Sequence, residues 1–222
     1  MQALIFDFDG LILDTELPEY LSWSEIYKRY DCDLPLSVWA ACIGTHGGFN
    51  PFDYLEQQVG QSVNREEMYL WQRRLCGEFL AEKTALPGVE RYILQAKALG
   101  LKLAVASASP REWVVGHLER LGLISYFDAI RTRDDVTKVK PDPELYLAAL
   151  AALDVSADQA FALEDSPNGV QAAKNANLFC VAIPNTLTSQ LSLEHADMKL
   201  TSMEEIPLQE LIARVEASRV KL

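Results

Sequence analysis

The chain has 222 residues and a formal net charge of −12, from 20 lysines and arginines against 32 aspartates and glutamates. This acidic excess argues against a protein that binds nucleic acid or anionic membranes, since both select basic surfaces. It leaves an anionic substrate open, because a single bound cation reverses the field around it. A hydrophobic content of 49% suffices for the core of one large domain, with or without an insertion.

The four cysteines form no CxxC pair, and no cysteine or histidine lies at zinc-finger spacing. We therefore predict free, buried thiols in a cytoplasmic protein. The N-terminal apolar run is short and interrupted by acids, so no signal peptide is expected. No stretch reaches the ~18–20 apolar residues of a membrane span, and we expect no membrane partner.

The first predicted element is a strand over residues 3–6, which two carboxylates, Asp7 and Asp9, and then Gly10 follow directly. Residues i and i+2 of a strand point to the same side, so the two acids are expected on one side of the chain. Like charges at this spacing repel unless a cation or a proton-transfer task requires them. Glycine permits the sharp turn that exposes them. The start of the chain therefore predicts a site for a hard metal ion and a carboxylate nucleophile.

The next segment, Leu17 to Ala85, lacks strand alternation and carries helical patterns over residues 20–30 and 65–83. Trp23 and Tyr27 lie four apart on one predicted helical face, which indicates core packing. We predict a helical insertion. The predicted domains are a core formed by residues 1–15 and 87–222, and a helical cap formed by residues 16–86.

The second half alternates strands with helices. Strands are predicted over residues 102–106, 128–132, 160–163 and 179–183, and helices over residues 111–121, 143–153 and 168–177. Asp142 is a possible N-cap of the second of these helices. This order predicts an α/β fold with a doubly wound parallel sheet and helices on both faces. In such sheets the site lies beyond the carboxyl ends of the strands.

Four polar motifs follow three of these strands and one nearby turn: Asp7-Phe8-Asp9-Gly10, Ser107, Lys140-Pro141 and Glu164-Asp165. Each alone is common in ordinary turns and helix caps. In this order they resemble the four motifs of the haloacid-dehalogenase-like superfamily of phosphohydrolases, within it the β-phosphoglucomutase-like group. The resemblance covers nearly the whole chain, including a Rossmann-like core and a helical cap after the first motif.

The resemblance implies a role for each motif. Asp7 would be the nucleophile that forms an aspartyl-phosphate, and Asp9 the general acid and then base. Ser107 would donate a hydrogen bond to a phosphoryl oxygen, and Lys140 would neutralise charge. Mg²⁺ suits a site of oxygen ligands. The implied metal ligands are Asp7, Asp9 through its backbone carbonyl, Asp165, and Glu164 directly or through water.

The substrate side of the site is expected to combine core and cap residues, because the core chemistry involves only a phosphate. The candidates are Ser107, Ala108, Ser109, Lys140, Glu16, His46 and Asn168. The predicted partner is a small phosphomonoester, such as a sugar phosphate or a nucleotide-like monophosphate, bound by a monomer.

Four functions compete on this fold. A Mg²⁺-dependent phosphatase is favoured. In a β-phosphoglucomutase-type mutase an arginine usually follows the cap glycine and a histidine lies early in the first cap helix. This chain has no arginine around Gly47, and it has Glu19 and Tyr20 in the early helix. A metal-free haloacid dehalogenase is disfavoured by Asp9 and the Glu164-Asp165 pair. A non-catalytic binding protein is disfavoured by the clustered acids.

Overall fold

The structure, a computed structural model, describes residues 1–40 and 49–219. In these residues six strands form one parallel sheet in the order β3-β2-β1-β4-β5-β6. The strands are β1 (Ala3–Phe6), β2 (Lys102–Ala106), β3 (Ala129–Arg131), β4 (Ala160–Glu164), β5 (Phe179–Ala182) and β6 (Met198–Lys199). The predicted doubly wound parallel sheet is confirmed. Its strand order reverses between β1 and β4, where a ligand crevice forms in such folds.

Helices cover both faces of the sheet and complete the α/β layers. The helices that follow the insertion are α5 (Val89–Ala98), α6 (Arg111–Arg120), α7 (Glu144–Leu153), α8 (Pro167–Asn175) and α9 (Leu208–Arg219). Side chains of α5, α6 and α9 pack with Leu4 and Phe6 of β1 on one face, whereas α7 and α8 pack with Ala3 and Ile5 on the other. Since alternate strand residues face opposite ways, both sets are buried and the strands read as continuous apolar runs.

Between β1 and α5 the described residues form four helices: α1 (Glu16–Lys28), α2 (Leu36–Ala40), α3 (Pro51–Val59) and α4 (Arg65–Ala81). They share an apolar cluster that includes Trp23, Tyr27 and Leu55, so the predicted packing role of Trp23 and Tyr27 is confirmed. Asn50 caps α3 by accepting hydrogen bonds from two backbone N–H groups. The cap boundaries, 16–86, stay a prediction.

Most predicted elements agree with the structure to within two residues, but the role of Asp142 differs. Pro143 occupies the N-cap position of α7, and its side chain makes no capping bond. Asp142 lies one residue earlier, where its Oδ1 accepts from the backbone N–H of Glu144 at 3.1 Å. Asp142 therefore forms a local Asx-type turn ahead of the helix rather than a cap.

The described cysteines are free thiols: Cys76 and Cys180 are buried and Cys32 is half-buried, while Cys42 lies outside the described residues. Among the described helices, none combines the length and the apolar character that a membrane crossing requires.

Candidate active site

The turn after β1 brings Asp7 and Asp9 to the carboxyl end of the sheet. The Asp7 N–H donates to the carbonyl of Leu163 at 3.0 Å, which continues the pairing of β1 with β4. Gly10 adopts a φ of +76°, and a Cβ there would overlap the Asp165 carboxylate and the Asn185 amide. Glycine is therefore required both for the left-handed backbone and for the close approach.

Lys140 joins the first motif to the fourth. Its Nζ lies 2.7 Å from Asp7 Oδ1 and 2.6 Å from Glu164 Oε1, and all three side chains are buried. Burial disfavours the Lys140 ammonium, but the charges of Asp7 and Glu164 outweigh it and raise the pKa of Lys140. Burial, with the charge of Glu164, raises the pKa of Asp7 to about 7. The network is thus a buried ion triad with excess negative charge.

Asp165 adds a third acid to this network. One carboxylate oxygen from each of Asp7, Glu164 and Asp165 lies within 4.8 Å of the others. Burial and then the neighbouring carboxylates of Asp7 and Glu164 raise the pKa of Asp165 well above its usual range. Three converging carboxylates with one lysine between them are hard oxygen donors in charge excess. These residues fit Mg²⁺.

Glu164 and Asp165 are each oriented by further hydrogen-bond donors. Tyr146 donates its hydroxyl to Glu164 Oε1 at 2.6 Å, and the Asp165 N–H donates to Glu164 Oε2 at 3.1 Å. The Asn185 amide donates to Asp165 Oδ2 at 2.8 Å and to the carbonyl of Gly10 at 3.1 Å. Such bonds fix the direction of carboxylate lone pairs, as they do around metal ligands generally.

Asp9 is oriented separately, by four donors to its carboxylate. Thr15 Oγ1 and Trp113 Nε1 donate to Oδ1 at 3.0 and 2.9 Å. Ser107 Oγ and Ser109 Oγ donate to Oδ2 at 3.1 and 2.7 Å. The Asp9 side chain thus faces hydroxyl and indole groups rather than the three-carboxylate cluster.

A cavity of about 810 Å³ lies over these residues, between the carboxyl end of the sheet and the helices of the insertion. Eight predicted site residues line it: Asp7, Asp9, Glu16, Ala108, Ser109, Lys140, Asp165 and Asn168. Ser107 and Glu164 lie fully buried behind that lining, bonded to Asp9 and Lys140. His46 lies outside the described residues. The four motifs therefore meet at one cavity.

The insertion contributes both acids and a base to the cavity wall. Burial raises the pKa of the half-buried Glu16 to about 8, with further contributions from the charges of Glu19, Asp9, Asp7 and Asp14. Desolvation at the cavity wall and then the charge of Asp9 raise the pKa of Glu19, which is itself exposed, although the nearby charge of Arg73 lowers it. The side of the cavity that the insertion contributes is therefore predominantly acidic.

Sequence reasoning missed four residues of this site: Arg73, Trp113, Tyr146 and Asn185. Asn185 could have been predicted from the sequence, because it is a polar residue that follows β5 at the carboxyl end of the sheet, where the other motifs lie. Tyr146 and Trp113 lie inside helices, and Arg73 lies in the insertion. Nothing in their local sequence distinguishes them from packing residues.

The sequence pattern of the haloacid dehalogenase-like hydrolases matches residues 4–183. The chain belongs to the haloacid dehalogenase-like hydrolase family. The predicted family and the predicted hydrolase class are confirmed.

Two curated relatives are similar over most of this hydrolase. YhcW of Bacillus subtilis (strain 168), which is named as a phosphatase, is 50% identical over 208 residues that cover 94% of both chains. The β-phosphoglucomutase of the same organism is 31% identical over 190 residues, covering 82% of this chain and 83% of that protein. The crystal structure of CbbY from Rhodobacter sphaeroides in complex with phosphate superposes with a TM-score of 0.74 at 29% identity, covering 92% of this chain and 96% of that one.

Proposed function

We propose that the protein is a Mg²⁺-dependent phosphatase that hydrolyses a small phosphomonoester through an aspartyl-phosphate on Asp7. The observation that carries this proposal is the contact of Lys140 Nζ with both Asp7 Oδ1 and Glu164 Oε1, beside Asp165 and at the base of the cavity. A buried carboxylate held by a lysine, with two further acids within metal-ligand distance, is what phosphoryl transfer to a carboxylate requires.

In the first step, a carboxylate oxygen of Asp7 bonds to phosphorus while the ester P–O bond breaks. Asp9 gives a proton to the departing alkoxide oxygen, which leaves as the alcohol. Lys140 and Ser107 stabilise negative charge on the phosphoryl oxygens. Ser107 donates to Asp9 in the present structure, and rotation about its side chain would turn the hydroxyl toward a bound phosphate.

In the second step, water attacks phosphorus, the bond between phosphorus and the Asp7 oxygen breaks, and Asp9 takes the proton of the water. Phosphate is released, Asp7 returns to its carboxylate form, and Asp9 returns to the protonated form with which the cycle began. Mg²⁺, when bound by Asp7, Glu164 and Asp165, supplies positive charge that offsets the repulsion between an anionic phosphoryl group and these acids. The same Asp9 thus serves as acid and then as base.

The size and lining of the cavity indicate which kind of substrate can bind. About 810 Å³ suits a small molecule, and the wall carries Glu16 and Glu19 on the side contributed by the insertion. Neither glutamate supplies the positive charge that a second phosphate on the leaving group would need, and a second phosphate would make their ionisation still less favourable. We therefore propose a neutral, hydroxyl-rich leaving group, such as that of a sugar monophosphate, with residues 16–86 acting as the specificity-determining cap.

A β-phosphoglucomutase-type mutase is the second candidate, because one of the relatives bears that name. A mutase must bind a second phosphate during turnover. Among the insertion residues that line the described cavity, Arg73 alone is basic, and its charge acts on Glu19. This balance favours hydrolysis over mutase activity.

Phosphate release from a panel of sugar phosphates and nucleoside monophosphates, with Mg²⁺ and then with EDTA, tests the proposal. Metal-dependent release from a few related monophosphates is the expected result. No release, together with conversion of β-glucose 1-phosphate in the presence of the 1,6-bisphosphate, would establish the mutase instead.

A further inference from the structure

Trp113 lies in the first turn of α6 and lines the cavity, half-buried. Its indole Nε1 donates a hydrogen bond of 2.9 Å to Asp9 Oδ1. Asp9 lies 104 residues earlier in the chain, so this bond joins the turn after β1 to the start of α6. The contact reaches the one carboxylate to which the proposed reaction assigns both proton transfers.

The indole ring is held on more than one side. The guanidinium of Arg73, on α4 of the insertion, lies 5.0 Å from the centroid of the Trp113 ring. His117, one turn later on α6, packs edge-on at 4.4 Å and 77°. His117 in turn stacks against Phe8, the residue between the two aspartates. The cation–π contact and the aromatic packing leave the ring little freedom to rotate.

The indole differs in kind from the other three groups that donate to Asp9. Ser107, Ser109 and Thr15 donate through hydroxyls, which rotate and can accept as well as donate. An indole N–H only donates, and its direction is fixed by the plane of the ring. When the hydroxyl of Ser107 turns toward a phosphoryl oxygen, Trp113 remains a donor of fixed polarity and direction to Asp9.

We propose that Trp113 is a positioning residue for Asp9. Its N–H sets the rotation of the Asp9 carboxylate toward the leaving oxygen, and Arg73 and His117 hold the ring that carries the N–H. Because Arg73 belongs to the insertion, the insertion acts on Asp9 through Trp113. This inference rests on the proposed role of Asp9, but the contact itself is tested without any activity.

The first test is spectroscopic and uses the indole ¹H–¹⁵N signals of the full chain. The protein has four tryptophans, and Trp113→Phe identifies the signal of Trp113. In Asp9→Asn the acceptor becomes a neutral amide, so we expect the Trp113 signal to move while those of Trp23 and Trp71 stay in place. A Trp113 signal that does not move in Asp9→Asn overturns the proposal, whatever reaction the protein catalyses.

The second test is kinetic and isolates the N–H group. Trp113→Phe keeps an aromatic ring beneath Arg73 but removes the donor, so we expect kcat to fall about tenfold while KM changes less than about twofold. Trp71→Phe is the matched control. Trp71 also lies beneath an arginine, with Arg29 at 5.1 Å from its ring centroid, but it is outside the described cavity lining. We expect its kcat and KM to match those of the wild type.

Arg73→Met adds a coupling measurement. If Arg73 acts on kcat through the indole, its effect on kcat should disappear in the Trp113→Phe background, whereas any direct contact with substrate would persist in KM. An unchanged kcat in Trp113→Phe, or an equal loss in Trp71→Phe, overturns the positioning role. Absence of phosphate release from the wild type on every substrate contradicts the proposed function instead, and the indole signal still decides whether the contact exists.

Discussion

Tyr146 donates its hydroxyl to Glu164 Oε1 at 2.6 Å, and Lys140 Nζ lies 2.6 Å from the same oxygen. The Lys140 Nζ also lies 5.2 Å from the centroid of the Tyr146 ring. Burial, together with the charges of Glu164 and Asp7, raises the pKa of Tyr146 well above its usual range, so the hydroxyl remains a donor. One oxygen of Glu164 is therefore fixed by two donors, which directs the other toward the backbone of the fourth motif.

Tyr146→Phe removes this donor without changing the shape of the core. We expect the free energy of unfolding to fall by about 1–3 kcal/mol, because a buried carboxylate loses a hydrogen bond. We expect Mg²⁺ to bind about tenfold more weakly, since the orientation of Glu164 is less constrained. Denaturant unfolding and the dependence of Tm on Mg²⁺ concentration measure the two effects.

Tyr92→Phe provides the matched control for Tyr146→Phe. The Tyr92 side chain is also fully buried, and its hydroxyl donates to the carbonyl of Ile206 at 2.9 Å, far from the acids. We expect a comparable loss of stability without any change in Mg²⁺ affinity. Equal Mg²⁺ affinities in Tyr146→Phe and Tyr92→Phe would contradict the assignment of Glu164 to the metal site.

Gly169→Ala tests how closely α8 approaches the site. A Cβ at Gly169 would overlap the carboxylate of Glu164, so that side chain would have to leave Lys140 and Tyr146. We expect a loss of about 1–3 kcal/mol in the free energy of unfolding, the range for overpacking a buried position. Urea unfolding of Gly169→Ala and of the wild type measures this loss of stability.

Gly77→Ala is the control, because Gly77 also lies within a helix but has open space where a Cβ would be placed. Replacing it should stabilise the protein by about 0.5–1 kcal/mol, the usual gain of alanine over glycine in a helix. The two substitutions are thus expected to have opposite signs. A Gly169→Ala variant as stable as the wild type would show that Glu164 has room to relocate.

Asp7→Asn should reduce turnover by more than ~10⁴-fold, because it removes the proposed nucleophile. Its stability in EDTA should equal or exceed that of the wild type, since one of three clustered carboxylates loses its charge while Lys140 keeps Glu164 as a partner. Stabilisation by Mg²⁺ should be strongly reduced. Phosphate release and thermal melts with and without Mg²⁺ measure these effects.

Asp9→Asn is the companion variant. The Asp9 carboxylate bonds to hydroxyl and indole donors rather than to the acid cluster. We expect turnover to fall ~10²–10⁴-fold, the usual range for a lost general acid–base, while Mg²⁺ still raises Tm as in the wild type. Loss of the Mg²⁺ effect in Asp9→Asn but not in Asp7→Asn would exchange the two proposed roles.

The sheet and the motif residues were predictable because their signals are local. A parallel strand buried on both faces reads as a short apolar run, and the polar residue after it lies at the sheet edge. Asp7, Ser107 and Glu164 each follow such a run. The proximity of these three residues follows from the sheet, since β1 pairs with both β2 and β4.

The surrounding contacts were not predictable, because they depend on how helices pack. Tyr146 and Trp113 look like ordinary helical packing residues, yet their polar atoms reach Glu164 and Asp9. Their partners lie 18 and 104 residues away in the chain, and no periodicity encodes such a distance. Arg73 reaches Trp113 only because the insertion folds over the sheet edge.

The pH dependence of stability should reveal the cluster of acids directly. Burial raises the pKa of Asp7 to about 7 and that of Glu16 to about 8, whereas in the unfolded chain these groups ionise near pH 4. Between about pH 4 and pH 8 the folded protein therefore binds more protons than the unfolded chain. The free energy of unfolding in EDTA should then fall as pH rises through this window.

Mg²⁺ should oppose that loss, because a bound cation favours the ionised form of Asp7 and Asp165. We expect Tm in EDTA to decrease from pH 5 to pH 8, and the increase in Tm caused by Mg²⁺ to grow over the same range. Glu16→Gln should make the decrease in EDTA shallower without removing the Mg²⁺ effect, since Glu16 lines the cavity outside the acid cluster. Asp7→Asn should reduce both. A Tm in EDTA that stays constant or rises toward pH 8 would mean that these carboxyl groups ionise in the folded protein at least as readily as in the unfolded chain.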